Sequence, residues 1–146
     1  DIEKGFKKTL LPLINDKIEI ISSIKQNSLK EYYNCADVFV TCSIEEGLSM
    51  VQIQAMACGL PVISSENSGG EDIINEGEDG FILKIRDKDR LKEKLLLLYE
   101  NKNLLALMSK KAELKAHTHF SWENYGNKVA NFYLDILKKN EKLFLL

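Results

Sequence analysis

Short apolar runs alternate along the chain with longer stretches in which apolar side chains recur every third or fourth position. "KIEIIS" at 17–22, "DVFVTC" at 37–42, "PVIS" at 61–64 and "FILK" at 81–84 are runs of the first kind. They are rich in β-branched or aromatic residues and short, which predicts four strands. "DVFVTC" has almost no polar position inside it, so that strand is expected to be buried on both faces.

The longer period predicts the helices. One covers residues 1–14, with Leu10, Leu11 and Ile14 on one face and Pro12 as a blemish. A second runs from Ser28 to Cys35, with Ser28 as N-cap and Glu31 completing a capping box. A third, Ser49–Cys58, carries Leu48, Val51, Gln52, Ala55 and Met56 in phase and stops at Gly59 and Pro61. Glu71–Asn75 is a short helix, and Asp87–Glu100 follows with Leu91, Leu95 and Leu98 in register. Asn103–Lys115 and Ser121–Lys138 close the chain, the last with Tyr125, Val129, Phe132, Tyr133 and Ile136 on one face, expected to pack into the core. Strands alternating with helices imply βαβ crossovers and a parallel sheet. The expected class is α/β, a Rossmann-like sheet with flanking helices and a helical C-terminus, in one domain over 1–146.

Composition narrows the function without choosing it. The chain has 146 residues, enough for one sizeable core. Its 20 basic and 22 acidic side chains nearly cancel, which argues against a general electrostatic grip on nucleic acid or an anionic membrane. Cys35, Cys42 and Cys58 form no CxxC pair, so reduced, buried thiols in a cytoplasmic protein are expected. His117 and His119 flank Thr118; two positions apart on a helix they point away from each other, and no metal pair is expected. No run approaches the roughly 18 apolar residues needed to span a bilayer. The first residue is Asp rather than Met, so the expectation is a piece of a larger protein, with further strands before Asp1.

Ligands of open parallel sheets gather outside the carboxyl ends of the strands. Three polar loops leave those ends: 22–27, 43–48, and "SSENSGG" at 64–70. The second feeds the helix at Ser49, whose free N–H groups and dipole form an anion site. Gly47 lets backbone come close to a ligand, and Gly69 and Gly70 offer a second nest. Glu45 and Glu46 sit oddly beside an anion. A carboxylate there suits paired hydroxyl donors better. Phosphate on amides and hydroxyls on a carboxylate together describe a nucleotide sugar. Gln54 lies eight positions after Glu46, just over two helical turns, and is expected to face nearly the same way.

"NCADVFVTCSIEEGLSMVQIQAMACGLPVISS", followed by "EDIINEGEDGFIL", resembles the carboxyl-terminal half of GT-B glycosyltransferases, specifically the retaining family 4. The likeness runs from about Ile18 to Leu83, and "FSWENY" resembles the start of the family's last long helix. In the family that helix crosses back to the other domain, so the resemblance implies that part of its apolar face is exposed here. The resemblance implies that Glu46 lies beside the donor sugar and that the backbone of Gly47, Leu48, Ser49 and Met50 meets sugar and diphosphate. It implies that Gln54 occupies the position that receives the ribose hydroxyls, and that Ser23 and Ile24 border the base. Family members carry Glu where this chain has Gln54, so the charge there is lost. Asp72 best matches a family Glu, and Ser68-Gly69 match its glycines. The Arg and Lys that neutralise the diphosphate have no counterpart after Asp1. Lys4-Gly5 is only a superficial match, since residues 1–16 align better with the helix before "KIEII".

The implied activity is retaining, metal-independent transfer of a sugar from a nucleoside diphosphate to an acceptor hydroxyl in glycan or polysaccharide synthesis. No cofactor is implied. A glycan or lipid-linked acceptor would bind a separate amino-terminal domain, without which this piece turns over nothing. A cytoplasmic location is implied, and attachment of the whole protein to the inner face of a membrane is left open. Three rivals stand beside it. A nucleotide-sugar epimerase of the same fold needs catalytic carboxylates and His, to which no residues of the sequence are assigned. A degenerate, non-catalytic GT-B module fits Gln54. A receiver-like signalling domain needs acids at the strand ends, where Asp37 instead begins a strand.

Overall fold

A computed structural model describes residues 11–13, 15–21 and 23–141. The helix expected over 1–14 falls outside these, apart from a 3-10 turn at Leu11–Leu13. In chain order come α1 (Leu29–Asn34), β1 (Phe39–Thr41), α2 (Met50–Ala57), β2 (Val62–Ser65), β3 (Gly80–Leu83), α3 (Lys88–Glu100), α4 (Lys102–His119) and α5 (Trp122–Glu141). Short 3-10 turns at Gln26–Ser28 and Gly70–Asp72 precede α1 and follow β2. The three strands lie in the order β1-β2-β3, all parallel, with Thr41 beside Ser64 and Ser64 beside Ile82. Their carboxyl ends therefore share one edge.

The core follows from the pleat of β2. Successive residues of a strand point to opposite faces, and all four residues of β2 are buried. Val62 joins Ala55 and Met56 of α2, Ile73, Ile74, and Ala112 and Ala116 of α4. Ile63 joins Phe81 and Leu83 of β3, Leu98 of α3 and Met108 of α4. Met56, Ile63, Leu98 and Met108 are almost completely enclosed, each worth roughly 1.5–3 kcal/mol of transfer free energy.

Several expectations are corrected. Residues 18–21 form no strand, leaving three strands among the described residues where four were expected. Asn15 takes the neighbouring amides instead: its side-chain oxygen accepts from Lys17 N at 3.0 Å and its carbonyl from Ile18 N at 3.0 Å. Such local bonds compete with a ladder, and Ile18, Ile20 and Ile21 stay exposed. The strand at 37–42 is shorter and is not buried on both faces, because β1 pairs on one side only among the described residues and Val40 faces outward. Ser28 makes no side-chain cap; the preceding 3-10 turn runs straight into α1, with Leu29 N bonding to Gln26 O. The helix at 71–75 is a single 3-10 turn, and α4 runs on to His119. Cys35 and Cys42 are exposed, at the end of α1 and just past β1, whereas Cys58 is half-buried and packs against the core.

The last helix does not pack into the core as its periodicity suggested; its exposed face is the one the family resemblance implied. Trp122, Tyr125, Phe132, Tyr133 and Leu137 of α5 are all more than half exposed. The apolar stripe is there, but most of it meets no neighbour within the described residues.

Candidate functional site

The loop after β1 turns into α2 at Ser49, whose extended backbone (φ −81°, ψ 124°) sets the entry angle without supplying a side-chain cap. The other long helices are capped: Asp87 accepts from Arg90 N, Asn101 from Leu104 N, and Ser121 from Asn124 N. At α2 the Gln52 amide turns back to Ser49 O at 3.1 Å, and among the described residues the N–H groups of Met50 and Val51 meet no acceptor. Leu48, Met50 and Val51 are exposed around them. The open donors mark the positive pole of the helix dipole, with the Glu46 carboxylate a few residues away on the same rim.

Two loops converge on it. Glu46 is exposed, its carboxylate held by the Ser43 hydroxyl at 2.8 Å, while its own N–H donates to Asn67 O at 2.9 Å. Ser65 Oγ donates to Ser43 O at 2.5 Å, a second link between the loops. Gly69 sits in the left-handed region (φ 71°) hard against the second loop, where an added Cβ would lie 2.6 Å from Leu48 N. Only glycine allows that approach. Gly47 is different: a Cβ there would meet nothing within 4 Å, so the space in front of it is open.

Glu46, Gly47, Leu48, Ser49 and Met50 thus form one continuous rim. Gln54 does not share it by helical phase, because α2 begins only at Met50 and the turn counting from Glu46 fails. Gln54 lines a cavity of about 270 Å³ between α1 and α2, with Gln26, Lys30, Tyr33 and Cys58. Its Oε1 is shielded from solvent and accepts no hydrogen bond. Burial pushes the Cys58 thiol up, with Lys30 pulling it down; burial and then Cys58 push the Tyr33 phenol up. Ser23 is exposed and Ile24 half-buried in an irregular segment, and no hydrogen bond ties either to α2 among the described residues.

Gln52 was counted in the sequence as part of the apolar stripe. It is completely buried, and its Nε2 donates to Ser68 O at 2.8 Å. Ser68 is equally enclosed; its hydroxyl lies 2.6 Å from that of Ser64 and donates to Ser65 O at 2.5 Å. An amide side chain in an apolar phase was the only signal in the sequence. A cavity of about 520 Å³ is lined by Asp37, Val38 and stems of α3 and α4, and holds none of the residues expected at the site. Among the described residues no three His, Cys, Asp or Glu side chains cluster as metal ligands, and no helix is long and apolar enough to cross a membrane.

Residues 4–115 match the family described as glycosyl transferases group 1. The chain belongs to that family. Spore coat protein SA of Bacillus subtilis is 29% identical over 134 residues, which is 90% of this chain and 34% of that protein. The chain thus spans about a third of the length of the curated relatives it matches. Among solved structures, sucrose-phosphate synthase from Thermosynechococcus elongatus superposes with a TM-score of 0.84 at 24% identity, covering 94% of this chain and 35% of that one. HepE of Anabaena, solved in complex with UDP-glucose, gives 0.80 at 16% identity, covering 92% of this chain and 36% of that one. The parallel sheet with flanking helices is the GT-B Rossmann-like arrangement that the motif resemblance implied.

Proposed function

We propose that the chain is the donor-binding, carboxyl-terminal part of a two-domain glycosyltransferase that moves a sugar from a nucleoside diphosphate to an acceptor hydroxyl. The single observation that carries this reading is the uncapped start of α2, with Glu46 tethered by Ser43 on one side and Gly69 pressed against Leu48 on the other. The N–H groups of Met50 and Val51 and the open space at Gly47 suit a diphosphate, and the Glu46 carboxylate suits sugar hydroxyls. Gln54 is assigned to a ribose hydroxyl by the resemblance; its unpartnered Oε1 is enclosed beside α1 and has to turn outward to accept that bond. The complex of HepE with UDP-glucose supports the donor class by analogy of fold. Ser23 and Ile24 are assigned to the base from resemblance alone.

As the anomeric bond breaks, negative charge grows on the diphosphate. Preoriented amides stabilise charge where it develops, which lowers the barrier more than tight binding of the ground state. In this reading Glu46 positions the sugar and is not a nucleophile. Retention of configuration, independence of metal and a role in polysaccharide synthesis belong to the proposal, as do an acceptor held by an amino-terminal domain and a cytoplasmic setting.

A degenerate, non-catalytic module is the second reading, favoured by Gln54. Both are tested by titrating the full-length protein with UDP-, GDP- and ADP-sugars in a calorimeter, followed by transfer assays. Binding of one donor class tighter than millimolar, with turnover, is expected. Failure of all three to bind would end the donor-site reading. Binding without turnover, with turnover restored by Gln54→Glu, would select the degenerate module.

A further inference from the structure

The loop after β2 carries a buried polar chain that packing alone does not account for. Gln52, Ser64 and Ser68 are each completely enclosed. Gln52 Nε2 holds Ser68 O at 2.8 Å, yet its Oε1 has no partner. An unpaired buried amide oxygen costs about 1–3 kcal/mol, which a leucine or methionine of similar volume would avoid. The gain must lie in where the amide holds the loop. Ser68 is followed directly by Gly69, whose backbone touches Leu48, and by Gly70, where a Cβ would strike Ser64 Oγ at 2.6 Å. Gln52 is therefore the one side chain of α2 that hydrogen-bonds to the loop at 64–70 among the described residues.

We propose that Gln52 is a positioning residue for the donor diphosphate. Its amide fixes Ser68, and with it the backbone of Gly69 and Gly70, at the spacing from Leu48–Met50 that lets both stretches of backbone N–H face one pair of phosphates. Gln52 does not touch the ligand. The inference rests on the donor-site reading above and adds to it a residue to which the resemblance assigns no role. Losing the amide lets the loop drift away from α2, so the second phosphate loses contacts while the nucleoside keeps its own.

The test compares UDP, GDP and ADP, and the monophosphate of whichever binds tightest, on the full-length protein. Gln52→Met removes the donor at nearly constant volume. It is expected to weaken the diphosphate about three- to tenfold, the worth of one ordinary hydrogen bond, and to leave the monophosphate within twofold. Gly69→Ala, which displaces the same loop from the other side, is expected to show the same selective loss, and it decides the matter should Gln52→Met fold poorly. Equal losses for diphosphate and monophosphate, or no loss in either variant, would overturn the role of Gln52. Wild-type protein that binds none of the three diphosphates would instead overturn the donor site itself.

Discussion

Lys115→Met is expected to loosen the turn that launches β3. Asp79 is 1% exposed. One of its carboxylate oxygens accepts from Asn75 N at 2.8 Å and the other from Lys115 Nζ, on α4, at 2.9 Å. Around it Glu78 N and Gly77 N bond within the same turn, to Asn75 O and Gly80 O. Removing one partner of a buried ion pair costs about 3–5 kcal/mol, because the other charge is stranded. The Lys115 side chain is 18% exposed, so water can partly replace it and the lower end, about 3 kcal/mol, applies. That equals roughly a hundredfold in an opening equilibrium. Hydrogen exchange followed by mass spectrometry reads it directly. Peptides covering 73–83 are expected to exchange about a hundredfold faster at pH 7, with those of α3 little changed. The double variant Asp79→Leu, Lys115→Met is expected to be no worse than the single one, since it strands only the Asn75 N–H, at about 1–3 kcal/mol. Exchange within threefold of wild type in Lys115→Met would refute the claim that this pair holds the turn.

Glu46→Gln keeps the shape and removes the charge. A charge-assisted hydrogen bond is roughly twice as strong as a neutral one, so kcat/KM for a nucleotide sugar should fall about tenfold while the affinity for the matching free diphosphate stays the same; an equal loss for both would place Glu46 off the sugar. The burial that raises the Cys58 thiol predicts slow alkylation: with iodoacetamide at pH 8, Cys58 should react after the exposed Cys35 and Cys42. The sign for stability follows. A thiol whose folded pKa is raised contributes fully below the unfolded value and loses that contribution as pH climbs through the unfolded value toward the folded one, so Cys58→Ala should flatten the decline in stability above about pH 8.5; an unchanged decline would refute it.

How much could be read in advance depended on whether a signal was local. β2 and β3 were legible because a short run of β-branched and aromatic residues between turn formers has few other uses, and both are in fact largely buried. "KIEII" carries the same local signal and fails, because a strand exists only where another strand accepts its hydrogen bonds, and here Asn15 offers a closer acceptor. The same limit explains α5. Its period correctly assigns Tyr125, Phe132 and Tyr133 to one stripe, but periodicity gives a direction and not a neighbour, and the stripe is open. At the site, counting two helical turns from Glu46 to Gln54 assumed a continuous helix, whereas the backbone is still extended at Ser49. The glycines of "NSGG" suggested a second nest, and only the fold puts Gly69 on Leu48. Gln52 stayed hidden for the opposite reason: it occupies a core phase, so the pattern that found the helix also disguised its buried polar side chain. The residues hardest to read are therefore those that join α2 to a loop distant in sequence. The start of the helix near Ser49 is local and was legible. The second wall that makes it a site for two phosphates, in the reading proposed, is made by tertiary contacts alone.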